Sequence, residues 1–372
     1  MRIVTLLVVL LLLLGSCSNE AVPVSNDNGG AAFVIGQLGL IAASPLSINR
    51  ESIVNAAGGI LISESCDFSP KGIITAIENL IARGCDGIIY TPMSESTLPQ
   101  ITRLCEEAQV YWVISMRTIS DPEIRQFVEG SPYYVGNVSE NDEDAGYEIV
   151  RILAQSGVKE IALISISRLD AAVDARERGL YKAAEEYGIR VVAEVRNCKS
   201  VDDVSRAVNG FIEVYPDLDA VFRVAALVRG NAESAVMDSI LSSGRHDHIR
   251  FASIDFNQDT EKYFNQNCIA VVAGGHIPLD ASIAAAMLVN AVTGYPINDN
   301  GPLTFTIDYL MLSSREEFET YYAIVGDDRS PLFSEEIIRS MLLKEHNPQL
   351  IAEEYQRIID NYTIENLHKI FE

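Results

Sequence analysis

Between residues 32 and 312, short apolar runs without polar alternation take turns with stretches whose apolar residues recur every three or four positions. Few architectures accept such a pattern. A run such as "DGIIYTP" or "EIALISI" has no solvated face, so as a strand it must be covered on both sides, and the helical stretch after each run supplies the cover. "AAFVIGQLGLI", "GILIS", "VYWVIS", "YYVG", "RVVAEV", "DAVFRV" and "RFASID" read as further strands, and helices are predicted over 95–108, 140–157, 171–188, 200–214 and 229–243. In "SPKGIITAIENLIARG", Ile73, Ile77, Leu80 and Ile81 share one face and Gly84 supplies the stop. "SPLSINRESIVNAAG" opens with the Ser-Pro pair of a helix start. The expected fold class is α/β, with doubly wound parallel sheets. An internal echo points to two of them: "LIARGCDGII" and "FIEVYPDLDAVF" each run from a helix end through an Asp into an apolar strand.

Size agrees with two lobes, because 372 residues exceed what a single core usually serves. The 28 basic and 52 acidic residues leave a net charge of −24, a surface that repels nucleic acid and anionic head groups. After residue 312 the rhythm breaks. Residues 313–372 are rich in Glu, punctuated by Pro331 and Pro348, and predict a helical extension of three or four short helices packed on the lobes.

The chain begins "MRIVTLLVVLLLLLGSCSNE". The apolar run Ile3–Leu14 falls short of the roughly 20 residues that span a bilayer. Arg2 before it, with Gly15 and Ser16 after it, is the layout of a secretory signal over 1–16. Leu14-Gly15-Ser16-Cys17 resembles the bacterial lipobox, which implies a mature chain starting at a lipidated Cys17 and a flexible tether over 17–31. An ordinary signal with an incidental cysteine is the other reading. Removing the signal takes away Arg2 alone and leaves −25. Of the other cysteines, Cys85 and Cys105 read as small buried hydrophobes, and a Cys66–Cys198 or Cys66–Cys268 bridge stays open.

Several local signatures occur in one order: "IENLIARGCDGIIYTP", "VISMR", "YVGN" with "DAGYEI", "ARERGLYKAAEEYG", "YPDLDAVF", "FASIDF" and "VVAGGHIPLDASIA". Together they resemble the type I periplasmic binding proteins, specifically the ribose-binding-like solute receptors of ABC importers. The resemblance covers about residues 32–312. It implies two Rossmann-like lobes joined by three crossing strands, with 32–132 plus 275–302 in the first lobe and 133–274 plus 303–312 in the second. Lac-repressor-type regulators share these lobes but carry an N-terminal helix-turn-helix, which is absent here.

The resemblance also implies a ligand site between the lobes. Arg176, in "DARERGLYKAA", matches the family's ligand-binding Arg; its guanidinium fork suits vicinal hydroxyls or a carboxylate. A salt bridge to Asp174 or Glu177 is the structural alternative, and Arg178 reads as a solvated neighbour. Arg117 matches the second position of an Asp-Arg pair whose first position is Met116. Asp255 matches the ligand Asp, or serves as a helix cap. His276 stands where a hinge-proximal Gln binds ligand, or bonds only to backbone. Ser44 matches a polar contact near the first helix. Leu46 and Ser47 replace the ring-stacking aromatics, and Ala225 and Ala226 replace an Asn-Asp pair. Arg223 ends the same strand as that pair and Lys199 is expected nearby, and Arg117, Arg176 and Arg223 together would suit a carboxylate or phosphate.

Other signals carry less. "RHDH", at His246 and His248, lacks a third metal ligand. The carboxylates of "SENDEDAG" are accounted for by a helix dipole, and "NDNG" by turn chemistry. No nucleophile elbow, Walker loop or dinucleotide fingerprint occurs. The expectation is a monomeric, cofactor-free, non-enzymatic lipoprotein of the cell envelope, on its periplasmic or extracellular face. It would capture a small polar ligand, a carbohydrate or sugar derivative, and present it to an ABC permease. The alternative is a sensing subunit that docks on a membrane histidine kinase or chemoreceptor.

Overall fold

In chain order the first lobe runs β1 (Val34–Leu38), α1 (Pro45–Ala56), β2 (Ile60–Glu64), α2 (Pro70–Ala82), β3 (Gly87–Tyr90), α3 (Leu98–Ala108), β4 (Tyr111–Ser115), α4 (Pro122–Glu129) and β5 (Tyr134–Glu140). The second continues with α5 (Asp142–Gln155), β6 (Glu160–Ser165), α6 (Ala171–Tyr187), β7 (Arg190–Arg196), α7 (Val201–Val214), β8 (Ala220–Arg223), α8 (Ala232–Ser242), β9 (Arg250–Ile254), α9 (Glu261–Phe264) and β10 (Ile269–Gly274). Then come α10 (Ile277–Val292), β11 (Leu303–Ile307) and β12 (Leu310–Leu312). This computed structural model describes residues 32–38, 44–67, 69–166, 170–225, 232–298, 300–326 and 329–371. The signal, Cys17, the tether and Ala226 lie outside them.

Local signals start the first two helices where expected, and α4, which the sequence reading did not include, starts in the same way. Ser44, Ser69 and Asp121 each precede a proline, and each side chain accepts an amide two or three residues on. The preset proline φ and the satisfied amide both favour the first turn. The strands are covered as their composition requires: β3 and β6 are buried along their whole length, whereas β2, at a sheet edge, is only partly buried.

The two sheets have one topology. Their orders are β11-β5-β4-β3-β1-β2 and β12-β10-β9-β8-β6-β7, parallel throughout except that β12 runs antiparallel to β10. The echo seen in the sequence has a physical basis. Asp86 Oδ2 accepts the amide of Val34 (2.8 Å), and Asp219 Oδ2 accepts those of Lys159 (2.7 Å) and Glu160 (3.0 Å). In each lobe this Asp, just before the third strand, pins the start of the first.

The chain crosses between lobes three times, but not at the boundaries expected near 132 and 302. β5 pairs with β4, and β11 with β5 from Leu303↔Gly136 to Ile307↔Glu140, so both strands belong to the first sheet. The crossings therefore fall after Glu140, after Gly274 and at the Asp308–Tyr309 link between β11 and β12. The run "YYVG" continues as strand for four residues beyond its apolar part because β11 supplies ladder partners that the local sequence does not reveal.

Helices α5 and α6 cross with almost no space between their backbones. A Cβ on Gly146 would lie 1.9 Å from the Arg176 carbonyl oxygen, and one on Gly179 would lie 1.8 Å from that of Glu143. The "DAGYEI" and R-x-x-G signatures thus share one cause, since each contributes the glycine that lets the two helices touch.

The extension forms α11 (Arg315–Val325), α12 (Glu335–Ile337) with a π-helical turn over Ile338–Leu342, α13 (Ala352–Asp360) and α14 (Leu367–Phe371). It is fastened to both lobes. Phe318, Tyr321 and Tyr322 of α11 surround Phe256 of the second lobe, with ring centroids 5.6, 5.2 and 6.3 Å away. Asn290 of α10, which packs on the first sheet, donates to the Leu342 carbonyl (2.8 Å) and the Tyr355 hydroxyl (2.9 Å) and accepts the Lys344 amide (2.8 Å). Between these, the Tyr362 hydroxyl donates to the carbonyl of Gly275 at the second crossing (2.7 Å). Cys66, Cys85, Cys105, Cys198 and Cys268 are all free, so neither bridge left open by the sequence forms. Cys85 and Cys105 are buried, and burial pushes both thiols up to about 12.

Two glycine substitutions should separate packing from propensity. Gly179→Ala must force α5 and α6 apart and should cost about 1–3 kcal/mol or more in urea unfolding. Gly210→Ala, in α7 with open space around its Cβ, should be neutral or stabilise by up to about 1 kcal/mol.

Candidate functional site

Open α/β sheets gather polar chemistry beyond the carboxyl ends of their strands. Here the segments leaving β3 and β4 meet the start of α6 from the other lobe. They enclose a cavity of about 210 Å³ whose lining includes Met93, Glu95, Arg117 and Asp170. A hollow of about 470 Å³ lies instead at the amino ends of β4, β5 and β11, lined by Tyr111, Tyr134 and Leu303, and shares none of these groups.

Arg117 reaches across from the first lobe. Its guanidinium is 3.7 Å from Asp170 Oδ2 of the second lobe and 3.8 Å from Glu140 Oε2, while Nη1 donates to the Met116 carbonyl (2.6 Å). Asp170 does two jobs: its Oδ1 caps α6 by accepting the amides of Ala172 (3.0 Å) and Val173 (3.2 Å), which leaves Oδ2 for Arg117.

Arg176 is buried, and its partner is neither Asp174 nor Glu177. Nε donates to Asp142 Oδ1 (2.7 Å), Nη2 to the Tyr309 hydroxyl (2.7 Å) and Nη1 to the Val224 carbonyl (3.4 Å); the Tyr309 hydroxyl also donates to Asp142 (2.8 Å). The α5–α6 contact makes this possible, because it lays Arg176 over the first turn of α5. Asp174 pairs with the half-exposed Arg178, and Glu177 with Arg196 and Ser165. The helix dipole is therefore not the whole account of "SENDEDAG". Asp142 holds Arg176, Glu143 pairs with Arg178, and Glu140 is fully buried at the first crossing.

Glu140 has no hydrogen-bond partner at either oxygen; the Arg117 guanidinium lies 3.8 Å from Oε2 and the Nε2 of His276 3.5 Å from Oε1. Burial, with Asp280 and Asp142 nearby, holds its carboxyl well above the usual carboxylate range. His276 is itself buried, lies against the Tyr309 ring (centroids 4.0 Å) and has no partner for Nδ1. Burial pulls its pKa down to about 4.

The second lobe presents Asp255 at the end of β9. Its backbone is left-handed (φ +66°) and its side chain exposed; the cap of the next turn is Asn257. Arg223 fixes that turn by donating to the carbonyls of Ile254 (3.0 Å) and Asp255 (2.8 Å), with Glu233 4.0 Å away. Each of the three arginines thus has an acid or a carbonyl beside it, and a carboxylate or phosphate ligand would compete for them. Ser44 caps α1 through the Ser47 amide (3.3 Å), the buried Ser47 hydroxyl accepts from Gln37 (2.6 Å), and Lys199 is exposed. Among the described residues no cluster of His, Cys, Asp or Glu could hold a metal ion, and no helix is long and apolar enough to cross a membrane.

Sequence reasoning missed Asp142, Glu140, Asp170 and Tyr309. Asp142 and Glu140 lay in a recognised acidic stretch, and Asp170 carries the signal of a helix cap. Tyr309 has no local signal at all, for it sits on the two-residue link between the sheets.

A family model described as a periplasmic binding protein domain matches residues 54–296. No curated protein sequence matches the chain. Among solved structures, an ABC transporter periplasmic solute-binding protein from Actinobacillus succinogenes with bound D-allose is similar with a TM-score of 0.64 and 16% identity, over 77% of this chain and 99% of its own. One from Bacillus halodurans with bound myo-inositol scores 0.63 at 17% identity, over 78% and 99%. One from Burkholderia graminis in complex with D-arabinose scores 0.65 at 17% identity, over 77% and 97%. At these identities the likeness is one of fold.

The buried His276 predicts a pH dependence with a definite sign. Its folded pKa lies below the ordinary 6.5, so its contribution is present above that value and is lost as pH falls toward about 4, where the folded state can hold the proton. Glu140 and Asp280, raised rather than lowered, act in the opposite direction and are present in both wild type and His276→Gln. Between pH 7 and pH 5 the wild type should lose about 2 kcal/mol relative to that variant in urea unfolding.

Proposed function

Since the chain belongs to the periplasmic binding protein domain family, we propose that it is the extracytoplasmic solute-binding lipoprotein of an ABC importer. It captures a small polar ligand, a carbohydrate or sugar derivative, between its two lobes. The observation that carries this reading is the cavity between like sheets, with Arg117 on one wall and Asp170 on the other. The bound D-allose, myo-inositol and D-arabinose of similar structures favour a polyhydroxylated guest, and their description as ABC transporter components favours import over sensing.

Arg117 and Arg176 donate to ligand hydroxyls, and Asp255 accepts from two adjacent ones with its exposed carboxylate. His276, at the second crossing, contributes at the hinge end. Arg223 serves by holding the Asp255 turn, and Ser44, the cap of α1, adds a polar contact. Closure about the three crossings excludes water from these bonds, which strengthens them, and the closed form docks on the permease. Binding needs no cofactor and makes no covalent bond, and the protein acts as a monomer. Acyl chains on Cys17 hold it at the membrane, with residues 17–31 as tether.

A thermal-shift screen against D-allose, D-arabinose, D-ribose and myo-inositol tests the reading. A ligand at about 100 times Kd stabilises by roughly 2.7 kcal/mol, a readily measured shift. Asp255→Asn, which keeps the shape and tolerates the left-handed backbone, should weaken the binding sugar by about 10- to 100-fold in calorimetry with an unchanged melting curve. No shift with any of these sugars would overturn the carbohydrate reading. Lipidation is tested separately: labelled palmitate should enter the wild-type chain in bacteria and be absent from Cys17→Ala.

A further inference from the structure

Beneath the cleft wall of the first lobe lies a polar network with no place in the contacts assigned so far. Arg50 of α1 and Asp280 of α10 are both 0% exposed. Arg50 Nη1 donates to Gln37 Oε1 (3.0 Å) and Nη2 to the Ser115 hydroxyl (2.8 Å). That hydroxyl donates to Asp280 Oδ1 (2.5 Å), and Asp280 Oδ2 accepts the Met116 amide (3.0 Å). Four elements, β1, α1, β4 and α10, thus converge on the last residue of β4 and the one after it.

Met116 has an uncommon backbone conformation. Its φ is +64°, a left-handed conformation that a side chain with a Cβ keeps only when its surroundings over-determine it. The next residue is Arg117, whose Nη1 leans on the Met116 carbonyl while the guanidinium stands loosely between Glu140 and Asp170. The direction of Arg117 therefore depends on the Met116 turn, and the turn on the carboxylate behind it. The second lobe repeats the device at the equivalent strand end. Asp255, also left-handed, is held by its amide on the Ala273 carbonyl (2.7 Å) and by Arg223 on its own carbonyl (2.8 Å). A buried charge network is a weak source of stability compared with apolar residues of the same volume, so its presence behind a cleft residue calls for another role.

We propose that Asp280 and Arg50 are positioning residues for ligand capture: through Ser115 and the Met116 amide they hold the turn that aims Arg117 into the cleft. This rests on the reading of that cleft as a sugar site. Neither residue touches ligand.

The test is a double-mutant cycle on the full chain, with Kd measured by calorimetry for whichever of D-allose, D-arabinose, D-ribose and myo-inositol gives a thermal shift. Asp280→Asn, which keeps one acceptor oxygen and so cannot accept both the Ser115 hydroxyl and the Met116 amide, should weaken binding by about tenfold. In an Arg117→Ala background the same change should alter Kd by less than about twofold, because the residue it positions is gone. Ser115→Ala, a smaller change that removes the bridging hydroxyl, should show the same loss and the same coupling, and serves if Asp280→Asn does not fold. Equal losses in both backgrounds, or no loss in a folded variant, would overturn the positioning role alone. A wild-type chain that binds none of the four sugars would overturn the sugar reading on which it rests.

Discussion

Strands such as Gly87–Tyr90 and Glu160–Ser165 are buried on both faces, and that burial dictates where polar chemistry in this chain can go. With helices on either side of each sheet, most side chains along the strands have apolar neighbours. Polar groups then collect where the strands end, and the functional surface becomes a set of turns rather than a sheet face. Arg117 and Asp255 occupy equivalent turns in the two lobes, one residue beyond a left-handed Met116 and in the left-handed position itself. Each turn is held from behind by a charged side chain, the buried Asp280 in one lobe and the partly buried Arg223 in the other. The same solution, reached with opposite charges, follows from the same need: a backbone conformation of low intrinsic population has to be fixed by groups that do not themselves move.

The cleft region is rich in charge at close quarters. Arg117 stands near Glu140 and Asp170, Arg176 is bound to Asp142, and Arg223 lies near Glu233. Most of these groups are partly or wholly out of water, where an unpaired charge is costly. Pairing removes that cost and also fixes the directions of the donors. Glu140 is the exception. Its oxygens have no hydrogen-bond partner, and burial resolves the conflict by favouring the protonated carboxyl.

The C-terminal extension changes how the lobes are joined. Three crossings of the chain would suffice to connect the sheets, yet α11 is seated on the second lobe, the segment from Leu332 to Tyr355 on the first, and Tyr362 on Gly275 between them. One apolar cluster runs from both lobes into the extension, through Phe318, Phe333 and Tyr355 among others. Any relative motion of the lobes acts on this layer as well as on the crossings.

How much of this was legible beforehand follows from the range of the interactions. Most strands and helices came through because burial on two faces, three-residue periodicity and Ser-Pro starts are written into neighbouring residues. The paired Asp86 and Asp219 were visible as an echo for the same reason. The positions beyond strand ends were legible too, which is how Arg117 and Asp255 came to be named as candidates. Long-range partners were not: Asp142 lies 34 residues from Arg176, Tyr309 lies 167 from Asp142, and Met116 lies 164 from Asp280. The extent of β5 was likewise hidden, since its ladder partner β11 comes more than 160 residues later. The amino-acid order by itself determined the layers, the two-fold repetition and the places where polar residues gather. Tertiary structure alone decided which acid meets which arginine and where one lobe ends, because those choices depend on backbones brought together in space, as at Gly146 and Gly179, and many acids in this chain were equally eligible until that contact was made.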